Sequence, residues 1–158
     1  MHTTMPTTSS DRIEKEIVLN SPRSRVWRAL TNVREFNEWF GVALTSPFAP
    51  GTLTSGNITI SGYEHIVAQL WVETMEPEKR FSFRWHPGDS DPKVDSSKEP
   101  TTLVTFTLED AKGGTKLSIV ETGFDALPES RRVKAFTGNE RGWEGQMRRI
   151  ADYLAKHP

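Results

Sequence analysis

The last third of the chain constrains its fold most. Two strand-like runs, Thr102–Glu109 and Thr115–Thr122, flank a Gly113-Gly114 turn, and an amphipathic helix over Asn139–Lys156 follows. In that helix Trp143, Met147, Ile150, Ala151 and Leu154 recur at offsets of four, seven, eight and eleven. This is the apolar stripe of a helix that lies against a sheet, and a long helix burying one stripe on strands implies a two-layer α+β domain. The stripe opens on a Trp and a Met, bulky or adaptable groups that either line a small-molecule cavity or fill core.

The rest of the chain supplies the sheet. Arg12–Asn20 sets Ile13, Ile17 and Leu19 against Glu14 and Glu16, the alternation of a half-buried strand. Ser21-Pro22 reads as an N-cap followed by Pro at the first helical position, and Val26, Trp27 and Leu30 give that helix an apolar side. Asn32 and Glu35 have capping-box spacing and open a second short helix that ends near Phe40-Gly41. Strands are then expected over Thr52–Ile60, Tyr63–Met75 and Arg80–Trp85. In the second of these Ile66, Ala68, Leu70 and Val72 alternate against Val67, Trp71 and Met75. His86–Pro100 is polar and Pro-rich, the mark of a long mobile loop. A helical piece around Pro128–Phe136 precedes the long helix. Consecutive strands joined by short turns pair antiparallel. The expected fold is therefore α+β: a curved antiparallel sheet of about six strands gripping a long C-terminal helix, with two short helices after the first strand.

A length of 158 residues suits one domain. Residues 1–11 are expected to form a disordered Thr/Ser-rich extension and residues 12–158 a single domain. With 20 basic and 21 acidic residues interspersed, the chain carries no nucleic-acid footprint. It has no cysteine, which rules out disulfides and thiolate chemistry, and no run long enough for a membrane span. The first ten residues lack the apolar segment of a secretory signal. These features suit a soluble cytoplasmic protein.

Four stretches, in order, carry a resemblance. They are Ile17-Val18-Leu19-Asn20-Ser21-Pro22 through Leu30; Asn37-Glu38-Trp39-Phe40; Val72 through Trp85; and Gly113-Gly114-Thr115-Lys116-Leu117-Ser118-Ile119-Val120-Glu121-Thr122-Gly123-Phe124 followed by the Gly142-Trp143 helix. Together they resemble the START-like (SRPBCC, Bet v 1-like, helix-grip) superfamily, and more narrowly its branch homologous to the activator of heat shock protein 90 ATPase. The resemblance covers residues 12–156. It implies the helix-grip fold and a small hydrophobic or amphipathic ligand held between helix and sheet. It also leaves room for a cyclase/dehydratase-type enzyme using a cavity carboxylate, for contact with a chaperone, and for a homodimer. Function lives in sites rather than folds.

The residues themselves offer little for catalysis. His2, His65, His86 and His157 have no ligand spacing, so no metal is expected, and no cofactor fingerprint or nucleophile elbow is present. Glu121 is the one carboxylate of interest. If Leu117 and Ile119 pack on one side of their strand, Glu121 shares that side and points at the helix, where it could bind a ligand or move a proton. At the strand's end it would instead be solvated. The expected ligand-cavity set is Trp39, Phe40, Trp71, Phe83, Trp85, Phe106, Glu121, Trp143 and Met147, for each of which core packing is the alternative. No catalytic residue is assigned, and binding is favoured over catalysis.

Overall fold

The computed structural model describes residues 11–87 and 98–158. Six strands, β1 (Arg12–Leu19), β2 (Leu53–Asn57), β3 (Val67–Glu76), β4 (Arg80–Trp85), β5 (Thr102–Ala111) and β6 (Gly114–Thr122), form one sheet in the order β1-β6-β5-β4-β3-β2. Every neighbouring pair is antiparallel. Two short helices, α1 (Arg23–Thr31) and α2 (Val33–Phe40), follow β1, and the helix α3 (Glu129–Lys156) packs back on the same face. This is the expected helix-grip architecture. Most of the proposed extension, residues 1–10, lies outside the described residues, as do residues 88–97 of the expected loop. Asp11 does not belong to that extension. Its carbonyl accepts from Gly123 N and its carboxylate from Asp125 N, which binds it to the end of β6.

Alternation decides which residues enter the core. Thr102, Val104, Phe106 and Leu108 of β5 and Thr115, Leu117, Ile119 and Glu121 of β6 are buried on one face. Against them pack Val26, Ala29 and Leu30 of α1 and Phe36, Trp39 and Phe40 of α2. Side-chain to backbone hydrogen bonds fix the helix pair: the Trp39 indole donates to Ala29 O at 2.8 Å, and Asn37 brackets the Leu44 peptide on both sides. Asn32 caps α2 by accepting from Glu35 N at 3.1 Å, and Gly41 ends it in the left-handed region at φ 86°.

Several local expectations are revised. The long helix starts at Glu129 rather than Asn139, and the separate piece at Pro128–Phe136 is its first turns. Gly138-Asn139 reads locally as a break, but tertiary contacts on both sides carry the helix through. Phe136 meets Phe124 edge-on at 5.4 Å, and Arg131 donates to Glu99 and to Pro87 O at 3.0 Å. Ser21 makes no capping bond, and Pro22 occupies the N-cap; the Ser21 carbonyl instead accepts from the Thr115 hydroxyl at 2.7 Å. A bulge between Val72 and Thr74 shifts the parity of β3. Val72 and Met75 therefore both face the core, opposite Phe83 and Phe81, and Met75 is not on the side of Trp71. The second strand is shorter than Thr52–Ile60. Its outer edge is covered by residues 43–45, through bonds from Ala43 N to Asn57 O and Thr45 N to Ser55 O. A Cβ on Gly56 would sit 1.9 Å from Ala43 O, so only glycine admits that crossing strand.

A polar knot joins the three helices. Glu35 receives Arg25, Arg28 and the Tyr153 hydroxyl, each at 2.8 Å. Burial pushes the Glu35 carboxyl up, but the hydrogen bonds from Tyr153 and Arg25 and the charges of Arg25 and Arg28 outweigh it and hold it below the usual carboxylate range. Burial, then the bond to Glu35, pushes the Tyr153 phenol above its ordinary value.

Two outcomes follow from this packing. An added Cβ at Gly142 would meet nothing within 4 Å, although the residue lies inside α3. Gly142→Ala is expected to stabilise the fold by about 0.5–1 kcal/mol in urea denaturation. Because the folded value of Glu35 is depressed, its contribution is full above the ordinary carboxylate value and is lost as pH falls through the depressed one. Glu35→Gln should cost roughly 2–3 kcal/mol at neutral pH. The gap to the parent should narrow as pH falls through and below the ordinary carboxylate value of 4.5, and a gap independent of pH would contradict the charge assignment.

Candidate functional site

The concave face of the sheet meets α3 around one carboxylate. Strand alternation turns Glu121 inward with Leu117 and Ile119, and it is 0% exposed rather than solvated at the strand's end. Trp85 and Thr102 are direct cross-strand partners at the β4–β5 ends, while Asn139 and Trp143 stand one turn apart on α3. All four donate to Glu121. Trp85 Nε1 reaches Oε2 at 2.8 Å, the Thr102 hydroxyl reaches Oε2 at 2.6 Å, and Trp143 Nε1 reaches Oε1 at 2.8 Å. The Asn139 amide straddles both oxygens at 3.0 Å. Among the described residues no cation pairs with this carboxylate, and every one of its donors is neutral.

The hydrocarbon around this centre is aromatic. The Trp85 and Trp143 rings stack at 5.7 Å with an interplanar angle of 28°. Phe40 meets them at 5.9 and 6.1 Å, and Phe106 meets Trp143 edge-on at 5.8 Å. Burying a carboxylate in such surroundings is expensive unless its lone pairs are filled. Here they are filled from β4, β5 and α3, so the network also sets where α3 lies on the sheet. Chemically the arrangement is an acceptor saturated by donors. Of the groups bonded to it, only the Thr102 hydroxyl carries a nucleophilic oxygen, and none is a histidine, an amine or a second carboxylate.

The structure gathers some of the sequence candidates and separates others. Phe40, Phe83, Trp85, Phe106, Glu121 and Trp143 form one contiguous cluster. Met147 lies partly buried one turn beyond Trp143 on α3. Trp39 packs on Phe36 and bonds back to α1, which places it in the helix-pair core. Trp71 stands on the opposite face of the sheet. It is paired with Arg84 and Leu53 while its neighbour Val72 faces Phe83, so alternation removes it from the groove, and its ring meets His86 instead. His65 is exposed, and His157 stacks on Tyr153 at 4.6 Å. Among the described residues no three His, Asp or Glu side chains converge as a metal site would require.

Three participants were not foreseen. Thr102 required the β4–β5 register. Asn139 carried a usable signal, since it extends the four-residue spacing Asn139–Trp143–Met147 back along the groove-facing stripe. Arg131 is buried at 9% exposure and ties α3 to Pro87 O and Glu99 across residues 87 and 99, which no local pattern announces.

The fold and its buried polar centre define a helix-grip domain of the START-like class. The chain belongs to the family described as Activator of Hsp90 ATPase homolog 1-like protein, whose model matches residues 20–155. A search of curated proteins finds no match. Among solved structures it is similar to protein MLL2253 from Mesorhizobium loti, at 25% identity and TM-score 0.73, covering 93% of this chain and 98% of that one. It is also similar to DynU16, a protein of the dynemicin biosynthetic locus, at 25% identity and TM-score 0.70, covering 92% of this chain and 47% of that one. Protein NE0264 from Nitrosomonas europaea shares the fold at 14% identity and TM-score 0.72, with 98% and 100% covered.

Trp143 is 2% exposed and serves both core and network. Trp143→Ala is expected to cost roughly 3–5 kcal/mol by chemical denaturation. A loss within about 0.5 kcal/mol, typical of a surface change, would contradict its place in both.

Proposed function

We propose that residues 12–158 form one binding domain that holds a small hydrophobic or amphipathic molecule in the groove between α3 and the concave face of the sheet. The observation that carries this reading is the saturated Glu121 centre inside an aromatic wall. The centre itself is enclosed, and what it holds in place at its edge is the partly buried Asn139 amide beside the partly buried Trp85 ring, the pairing of a polar group with apolar surface that orients a mostly apolar ligand. Trp85, Asn139 and Met147 are only partly buried, so the wall and its polar edge reach the protein surface. Membership of a START-like family supports the same reading. A cytoplasmic location belongs with it: the sequence has no cysteine, and among the described residues no helix is long and apolar enough to cross a membrane.

The enzyme alternative, of the cyclase/dehydratase type, would require Glu121 to exchange a proton. Its acceptor positions are already occupied by Trp85, Thr102, Asn139 and Trp143, which weighs against that role. Contact with a chaperone is a second reading. The family description supports it, as do the exposed Leu53 (44%) and Val67 (57%) near Trp71 on the other face of the sheet.

A panel of lactones, polyketide-like aromatics and hydrophobic esters tests the binding reading by thermal denaturation and tryptophan fluorescence. At least one class should raise Tm and perturb the emission without turnover. A ligand at 100 times its Kd adds about 2.7 kcal/mol to stability. Turnover that Glu121→Gln abolishes in a folded protein would establish the enzyme reading instead.

A further inference from the structure

Glu121 is a fully buried carboxylate whose partners among the described residues are all neutral. Hydrogen bonds satisfy its oxygens, but they do not cancel its charge, and in a low-dielectric interior that charge acts over a longer range than it would in water. Two of its donors are indoles, Trp85 and Trp143, each bonded at 2.8 Å. An N–H given to an anion pushes electron density into the ring, which makes the ring faces more negative. Those faces already attract cations through their quadrupole. Trp85 is partly exposed, stacks on the buried Trp143 and meets the buried Phe40 edge-on, so its own ring is the part of this aromatic cluster that reaches solvent.

We propose that Glu121, acting through the Trp85 and Trp143 indoles, makes this groove selective for amphipathic organic cations, such as amines or quaternary ammonium compounds, over carboxylates. The inference rests on the small-ligand reading above and adds the charge class of the ligand. The cationic head lies over the outer face of Trp85 with the carboxylate behind it, and the apolar part follows the groove toward Met147. An anionic head in the same place meets the field of Glu121, to which no cation is bonded among the described residues.

Isothermal titration calorimetry of the full chain with decyltrimethylammonium and with decanoate, both below their micelle concentrations and at matched salt, tests this. The cation should bind at least about tenfold more tightly, a difference of about 1.4 kcal/mol. Glu121→Gln should abolish the preference, and Trp85→Phe, which keeps a ring but removes the N–H donor, should reduce it severalfold. If Glu121→Gln loses its near-ultraviolet circular dichroism, the Trp85→Phe arm decides. Equal or tighter binding of decanoate overturns the charge selectivity and leaves the small-ligand reading standing. A cation preference that survives in the folded variants also overturns the inference. Absence of heat with both amphiphiles, while the neutral panel above binds, overturns the inference alone. Absence of binding with every compound overturns the small-ligand reading and the inference with it.

Discussion

The structure depends on how one carboxylate is made tolerable inside an aromatic core. Glu121 lies at 0% exposure on the middle face of a six-stranded sheet, where an unpaired charge would cost several kcal/mol. The solution draws on β4, β5 and α3 at once, with two indoles, a hydroxyl and an amide meeting at two oxygens. Oε2 takes three of the bonds and Oε1 two, so losing Trp143 leaves Oε1 with the Asn139 bond alone, and shifting α3 by one turn displaces both of its donors together. A polar network of this kind specifies one docking of helix on sheet where an all-apolar interface would allow several.

The helices are held together by an analogous device with opposite electrostatics. Glu35 is compensated by two guanidiniums and a phenol, and it ties α1 and α2 to the last turns of α3. Among the described residues Glu121 is bonded to no cation. One carboxylate is thus a closed ion-pair knot at the surface of the helix layer. The other is a carboxylate bonded, among the described residues, to neutral donors alone, with the partly exposed Trp85 beside it. That contrast, more than the fold, makes the groove around Trp85 the place where recognition is sought. Family membership adds the architecture, but the residues around Glu121 supply the chemistry.

Much of this was legible locally. Period-two alternation placed Leu117, Ile119 and Glu121 on one face, and the Asn32–Glu35 spacing gave half of a capping box: Asn32 caps Glu35 N, while the Glu35 carboxylate takes Arg25, Arg28 and Tyr153 and Asn32 N bonds Arg28 O. The stripe from Trp143 to Leu154 set the buried side of the long helix, with Trp143, Ile150 and Leu154 all enclosed. Failures occurred where tertiary contacts overrode local preference. Gly138-Asn139 looked like a start signal, yet α3 runs through it because Arg131 and Phe136 are anchored on its far side. Trp71 looked like a groove residue, yet a strand has two faces, and hydrophobicity alone does not say which one an aromatic takes when both carry apolar groups.

What the sequence determined by itself was the set of elements, their order, their antiparallel pairing and the inward side of most of them, because these follow from periodicity and from turns a few residues long. What only the tertiary structure decided was which donors surround Glu121, the parity shift in β3 that sends Met75 to the core, and the placement of Trp71 on the opposite face. Each of these depends on register between segments far apart in the chain. Thr102 and Asn139 are 19 and 18 residues from Glu121, and Trp85 is 36 residues away. No local propensity encodes those distances; they are set when the sheet closes on the helix and the carboxylate must find its partners or remain in water.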